Sequence, residues 1–393
     1  MNFDNITKLK LIYFFNSLYF FAPILTLFYF SRGLNTFQTV SLEAMLMFAV
    51  LLSEVPTGIL ADKFGRKFSL SMLILLYLLG NIWTIFAGSY IEFLIIQIIF
   101  GIAVAFGSGS VEALVYDSLK SEKKQNEMSK TWGAINSYSF IASVIAVTIG
   151  GYIARTHEPK TFVFLLWLFT MGATISFILS LFIKEINLTK QKEEVSPLIL
   201  FKESTIHILK NKSLRKIIYL SLFTIPFIHV IMFLFQPYFL DAGVPNAIWG
   251  VAMAIGTLLG AILIKYAYKI EEKIGMKKTI FITTIIPGLL YLAMAFIIGP
   301  MISFIWYVLL KGISNLRTPL FSQYQNDHIE SHNRATVLSI ISMIGSIYLL
   351  IMRLVLGKIA NESIIISFIV MGSIITLGAI FFRIDERHIK VNI

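Results

Sequence analysis

The chain has 393 residues, of which 57% are hydrophobic and only 14% charged, with a mean hydropathy of +0.79. Soluble domains are about 45–50% apolar, so this balance excludes one and describes a chain threaded repeatedly through a lipid bilayer. The net charge of +11 is spread over short loops rather than gathered into a patch, which argues against a nucleic-acid partner. The chain has no cysteine, which excludes disulfides, thiolate metal sites and cysteine catalysis; neither a metal nor a cofactor is expected.

A helix needs about 20 apolar residues to cross the hydrocarbon. Twelve runs qualify in chain order: 10–30, 38–61, 68–87, 91–116, 131–154, 161–184, 214–240, 245–268, 277–299, 302–322, 335–358 and 363–383. The first is crowded with Phe and Tyr and lacks a small-residue cleavage site, so it reads as a retained helix and not a signal peptide. Lysine and arginine divide 26 against 4 between the two sets of loops, with Lys311, Arg317 and Arg353 left inside helices. Basic residues stay on the cytoplasmic side, which puts both termini there.

The longest polar insert, 185–213, divides the chain into a six-helix bundle at 1–184 and another at 214–393. Ser196-Pro197 reads as a helix start within it, and Leu198, Phe201, Ile208 and Leu209 as the apolar face of an amphipathic helix on the inner surface. A repeat is also visible at an offset of 210 residues, where Glu272-Lys-Ile-Gly-Met-Lys parallels Asp62-Lys-Phe-Gly-Arg-Lys. Tyr268 replaces the upstream glycine in the second copy.

The densest polar stretch runs from Glu54 to Lys67. Gly58 would let a neighbouring helix approach closely, Asp62 would end the helix in the headgroup zone, and Gly65 would supply the positive φ of a short reversal. Gly58, Asp62, Lys63, Gly65, Arg66 and Lys67 satisfy the spacing G-x-x-x-D-[RK]-x-G-[RK]-[RK] at every constrained position. This stretch resembles the loop signature of the major facilitator superfamily of secondary transporters. Glu112-Ala-Leu-Val-Tyr-Asp-Ser-Leu, Arg334-Ala-Thr-Val-Leu-Ser and Arg32-Gly-Leu followed by Leu42-Glu43 extend the likeness over the whole chain, towards bacterial drug or metabolite exporters. The resemblance implies an all-α membrane protein of twelve transmembrane helices in two parallel six-helix repeats. It also implies an inner gate at the loop, with spans 1, 4, 7 and 10 around a substrate cavity. Two departures stand out: Gln97 occupies the place of the arginine that proton-coupled exporters carry four residues before Gly101, and Ala146-Val147 replaces their Gly-Pro pair ahead of Gly150-Gly151.

Charges inside the hydrocarbon are costly and default to function. Glu43 and Glu54 are eleven residues apart, which leaves them on one helix face about 16 Å apart along the axis. With Glu112 they are the candidate proton carriers. Pro56 is expected to break the helix beside Glu54. Tyr307, Lys311, Asn315 and Thr318 share one face of the tenth span. The resemblance places Lys311 beside the substrate or opposite an acid such as Glu112, with Tyr13, Asn16, Phe20 and His229 completing the cavity wall. Glu43 and Arg353 fall at similar depths below the outer surface and form a candidate outer gate.

There is no phosphate loop, zinc-protease helix or nucleophile elbow, and Gly107-Ser-Gly-Ser110 reads as close helix packing. The chain is therefore expected to be a transporter and not an enzyme. It would work as a monomer by alternating access in the plasma membrane, exporting an amphipathic small molecule in exchange for protons. The other readings are a transporter of a small anionic metabolite, a membrane receptor and a membrane-embedded enzyme.

Overall fold

The computed structural model describes residues 4–382, apart from 157, 187–203, 207, 225, 317–319, 322–323, 326–328 and 330–333. The predicted amphipathic start of the central insert, at Ser196 to Phe201, and the predicted roles of Arg317 and Thr318 lie outside the described residues. Ile208 and Leu209 lie in a short helical stretch, with Ile208 packed in a core beside Leu214 and Ile218.

All regular structure among the described residues is helical. In order these are α1 (Asn5–Asn16), α2 (Leu25–Ser31), α3 (Thr36–Phe64), α4 (Arg66–Phe86), α5 (Tyr90–Gly107), α6 (Ser110–Ser121), α7 (Met128–Ile153) and α8 (Pro159–Leu181). They continue with α9 (Lys212–Leu222), α10 (Pro226–Asp241), α11 (Trp249–Ile274), α12 (Met276–Phe296), α13 (Pro300–Asn315), α14 (Arg334–Glu362) and α15 (Ile364–Phe381). Nine spans in the described chain are long and apolar enough to cross a bilayer, and three shorter apolar helices, Ala22–Ser31, Val230–Asp241 and Pro300–Ser314, fall in predicted spans 1, 7 and 10. Large apolar side chains stand on the outside, as Leu52, Val55 and Ile59 do along one side of α3. Water would not tolerate so much exposed apolar surface, whereas lipid would.

Polar caps set the helix starts. Asn35 and Gln38 form a reciprocal capping box at α3, and Ser89 and Glu92 form another at α5. Each pairs backbone groups that the first turn would otherwise leave open. The predicted repeat is visible in the backbone. Gly65, at φ 95° and ψ 169°, joins α3 to α4, and Gly275, at φ 80° and ψ 154°, joins α11 to α12. Each glycine amide donates to the carbonyl four residues back, from Gly65 to Ala61 and from Gly275 to Glu271. That region of φ and ψ is essentially closed to side chains.

Among the described residues, three predicted spans are seen to be interrupted. The first breaks between α1 and α2, where Tyr19 and Phe20 donate their amides only two residues back, to Ser17 and Leu18. The fourth breaks at Ser108 and Gly109, with Gly109 left-handed at φ 66°. The seventh breaks after Leu222, where the Thr224 hydroxyl donates to the Leu220 carbonyl and Pro226 opens α10. Pro56 causes no such break: α3 runs through it, and the Thr57 hydroxyl back-bonds to Ser53 at 2.7 Å.

The chain divides into two compact units. Unit 1 holds residues 1–191 and 245–254; unit 2 holds 192–244 and 255–393. The first turn of α11 belongs with unit 1 because Gly250 lies against the Val147 carbonyl and Gly151 of α7, leaving no room for a Cβ. Asn246 also donates to the Arg155 carbonyl at 3.3 Å. The core of unit 1 joins Leu9 and Ile12 of α1 to Leu70, Ile74, Leu114 and Ile135. In unit 2 one cluster joins Ile217, Leu220, Ala267 and Ile280.

Candidate functional site

In unit 1 the site is built around the gap between α1 and α2. A backbone break in hydrocarbon must be satisfied by protein, and the flanking helices do this. Ser176 of α8 donates to the Ile12 carbonyl at 3.1 Å and Ser139 of α7 to the Tyr13 carbonyl at 3.3 Å. The chain then turns against two helices made thin for it: a Cβ at Gly172 would stand 2.7 Å from the Phe15 carbonyl oxygen, and one at Gly150 would overlap that of Phe20. Asn16 ends α1 at this gap, its buried Oδ1 without a hydrogen-bond partner among the described residues. Tyr19 stacks on Phe169 at 5.0 Å between ring centroids.

Two carboxylates address this region. Glu43 of α3 is half-buried and acts electrostatically on the Tyr29 and Tyr77 hydroxyls. Gln97 of α5 joins the group, its amide nitrogen 3.4 Å from the Tyr29 hydroxyl and its Oε1 buried without a partner among the described residues. Glu112, in the first turn of α6, is exposed and acts electrostatically on Tyr13, whose ring meets Trp132 edge-on at 6.0 Å. Glu54 shares the stripe of Glu43 as predicted but is exposed, so the two occupy different environments. Tyr19, Tyr29, Tyr77 and Trp132 were not expected here. Only the Gly150-Gly151 pair marked in the sequence that something approaches α7 closely.

The loop signature is arranged differently from expectation. Among the described residues nothing lies within 4 Å of a Cβ built at Gly58. Asp62 does not end its helix, because α3 continues to Phe64 and Gly65 terminates it. Asp62 is exposed and 3.7 Å from Arg66, an i,i+4 pair of the kind worth about 0.3–0.5 kcal/mol. Lys63 is exposed beside the Phe64 ring. The amides of Arg66 and Lys67 donate to the Glu185 carboxylate, a contact the sequence reading missed. A cavity of about 460 Å³ beside it is lined by Asp4, Asn5, Ser118 and Glu122 among others. Its carboxylates are already engaged: Asp4 by Thr7, Glu122 by Lys124 and Glu185 by α4.

In unit 2 the site centres on α13. Tyr307 is buried, stacks on Phe235 of α10 at 4.7 Å and meets Phe239 edge-on at 5.3 Å. Lys311, one turn on, holds its ammonium 6.0 Å from the Tyr307 ring centroid. The Lys311 stem lies along Gly256 of α11, where a Cβ would come within 3.0–3.2 Å of its methylenes. Arg353 of α14 is buried, at 2% exposure. His229 and Asn315 sit on α10 and α13, but their side chains fall outside the described residues.

Comparison with known proteins gives this arrangement its context. The sequence profile described as the Major Facilitator Superfamily matches residues 10–352. An uncharacterized MFS-type transporter, YxaM, of Bacillus subtilis (strain 168) is 23% identical over 386 residues, covering 95% of this chain and 94% of that one. The crystal structure of the nucleoside transporter NupG superposes with a TM-score of 0.79 at 14% identity, over 100% of both chains. That of a D-xylose-proton symporter gives 0.71 at 15% identity, over 96% of this chain and 95% of the other. The fold is that of a multi-pass transporter of small molecules and not of an enzyme, and the chain belongs to the Major Facilitator Superfamily.

Proposed function

We propose that this protein is a proton-coupled secondary transporter that exports an amphipathic organic compound by alternating access. The interruption between α1 and α2 carries the reading. Backbone leaves the helical ladder inside an apolar span only where protein or a water-filled path receives it, and such breaks mark binding sites in transporters. Here the break is bordered by Tyr13, Asn16, Tyr19 and Phe20, a wall suited to an amphipathic solute. Glu43, Glu54 and Glu112 are the proton carriers in this reading, with Gln97, which bonds the Tyr29 hydroxyl that Glu43 also acts on, in place of an arginine. Asp62 and its loop neighbours act at the inner gate, and Glu43 and Arg353 at the outer. The protein works as a monomer in the plasma membrane with both termini in the cytoplasm.

The test is purified protein in liposomes carrying an internal pH dye, with cationic, neutral and anionic amphiphiles added in turn. Proton movement that begins only when a compound is added supports the reading; compound movement that never displaces protons overturns it. A second reading, transport of a small anionic metabolite, is favoured by Lys311, a cation placed among aromatic rings.

A further inference from the structure

Lys311 is eleven residues into α13, about 17 Å along the helix from Pro300 and so near the middle of a hydrocarbon core of about 30 Å. It is half-buried. Its neighbours are the Tyr307 ring, packed behind by Phe235 and Phe239, and the bare backbone of Gly256. Among the described residues of unit 2, neither an ion pair nor a hydrogen bond holds the ammonium. The described acids of that unit, Asp241, Glu271, Glu272 and Glu362, lie at the ends of α10, α11 and α14. One turn away the Tyr307 hydroxyl is buried and has no hydrogen-bond partner among the described residues. A half-buried cation at this depth, one turn from an unused buried hydroxyl, is costly unless something completes it.

We infer that Lys311 and Tyr307 form the subsite for the negative charge of the cargo, and that the cargo is an amphipathic organic monoanion such as an aromatic carboxylate. This rests on the transporter reading above and narrows it to a substrate class. One ammonium and one hydroxyl match one carboxylate, the cation supplying charge and the hydroxyl a directed hydrogen bond. A doubly charged, strongly hydrated phosphate would be left half-neutralised among apolar walls. A cationic drug would meet like charge.

The test uses one apolar body with three charges: 1-naphthoate, 1-naphthamide and 1-naphthylmethylammonium. Binding is measured by calorimetry to the full chain in phosphatidylcholine nanodiscs. Wild type should bind naphthoate at least ten-fold more tightly than the amide and the ammonium compound least. Lys311→Met should level anion and amide. Because it removes a half-buried charge that no described residue of unit 2 pairs, it should melt no lower than wild type, which keeps the comparison valid. Tyr307→Phe should cost naphthoate several-fold and the amide, a neutral and weaker acceptor, less. The inference is overturned if Lys311→Met retains the anion preference, if wild type prefers the amide or the cation, or if it binds none of the three. The liposome pH measurement separates the two readings. Anion selectivity without proton movement keeps the subsite and discards coupling, and coupled movement of the cation alone does the reverse.

Discussion

The carboxylate of Glu185 fills the space beneath Gly65, accepting the amide of Arg66 at 3.0 Å and that of Lys67 at 2.8 Å. A Cβ on Gly65 would stand 2.6 Å from it. The central insert is thus anchored at its first residues to the positive N-terminal end of α4, where two open amides and the helix dipole favour an anion. Glu185→Ala should cost about 0.5–2 kcal/mol, the range of a lost N-cap. Glu185→Gln should cost less, since one acceptor oxygen remains. Gly65→Ala adds backbone strain of about 1–3 kcal/mol to the same loss. Thermal melting in detergent checks all three, and equal melting of wild type and Glu185→Ala would show the contact to be idle.

Gly150→Ala and Gly172→Ala should each disrupt unit 1, because the new methyl meets the Phe20 or Phe15 carbonyl, backbone that cannot turn aside. Gly150→Ala should be the worse, costing more than the 1–3 kcal/mol typical of overpacking. Ser139→Ala and Ser176→Ala each remove one hydrogen bond to α1 and should cost about 1 kcal/mol. Yield and melting temperature rank the four. Gly150→Ala melting like wild type would mean that the α1 turn lies elsewhere.

If Glu43, Glu54 and Glu112 carry the protons, replacing each by Gln should abolish uphill transport in at least one case while leaving exchange intact. Glu43→Gln is the most exposing change, since Tyr29, Tyr77 and Gln97 all belong to its group. Uphill transport surviving all three would point to another ion.

Coupling also fixes the charge moved. A monoanion leaving while one proton enters carries two positive charges inward per cycle, worth about 4.6 kcal/mol per 100 mV. An inside-negative potential set with valinomycin should therefore accelerate export strongly. No response to potential would be the signature of a cationic cargo exchanged one for one.

At the start of α1 the Thr7 hydroxyl and amide donate to Asp4 and hold its carboxyl below the usual 3.8, against the opposing effect of burial. The cap therefore stabilises fully above pH 3.8 and is lost as pH falls through the lowered value. Asp4→Ala should melt below wild type at pH 6, by about 0.5 kcal/mol for so exposed a cap, and the gap should close as pH falls below the lowered value of the Asp4 carboxyl.

Sequence carried the helical architecture because twelve apolar runs and a basic loop bias are direct records of lipid and its two surfaces. The repeat was legible too, since only glycine can occupy the turn conformation of Gly65 and Gly275. The breaks were not. Hydropathy is blind to them: Ser17 to Phe21 is as apolar as a helix should be, and its cause lies in carbonyls received by Gly150, Gly172, Ser139 and Ser176 far along the chain. Pro56 misled in the opposite direction, because Thr57 one residue on binds the Ser53 carbonyl and α3 continues. Glu185 was invisible because its partners are main-chain amides, which leave no imprint on residue type.

Gly256 holds no charge, yet the atoms nearest to a side chain added there are the methylenes of Lys311, so each added atom would press on the stem that carries the ammonium. Alanine, then serine, then valine at this position would act as successive shims, moving the cation in sub-ångström steps without altering its identity. A lineage could in this way change its cargo by editing a position that carries no charge of its own, and a laboratory could follow the same route.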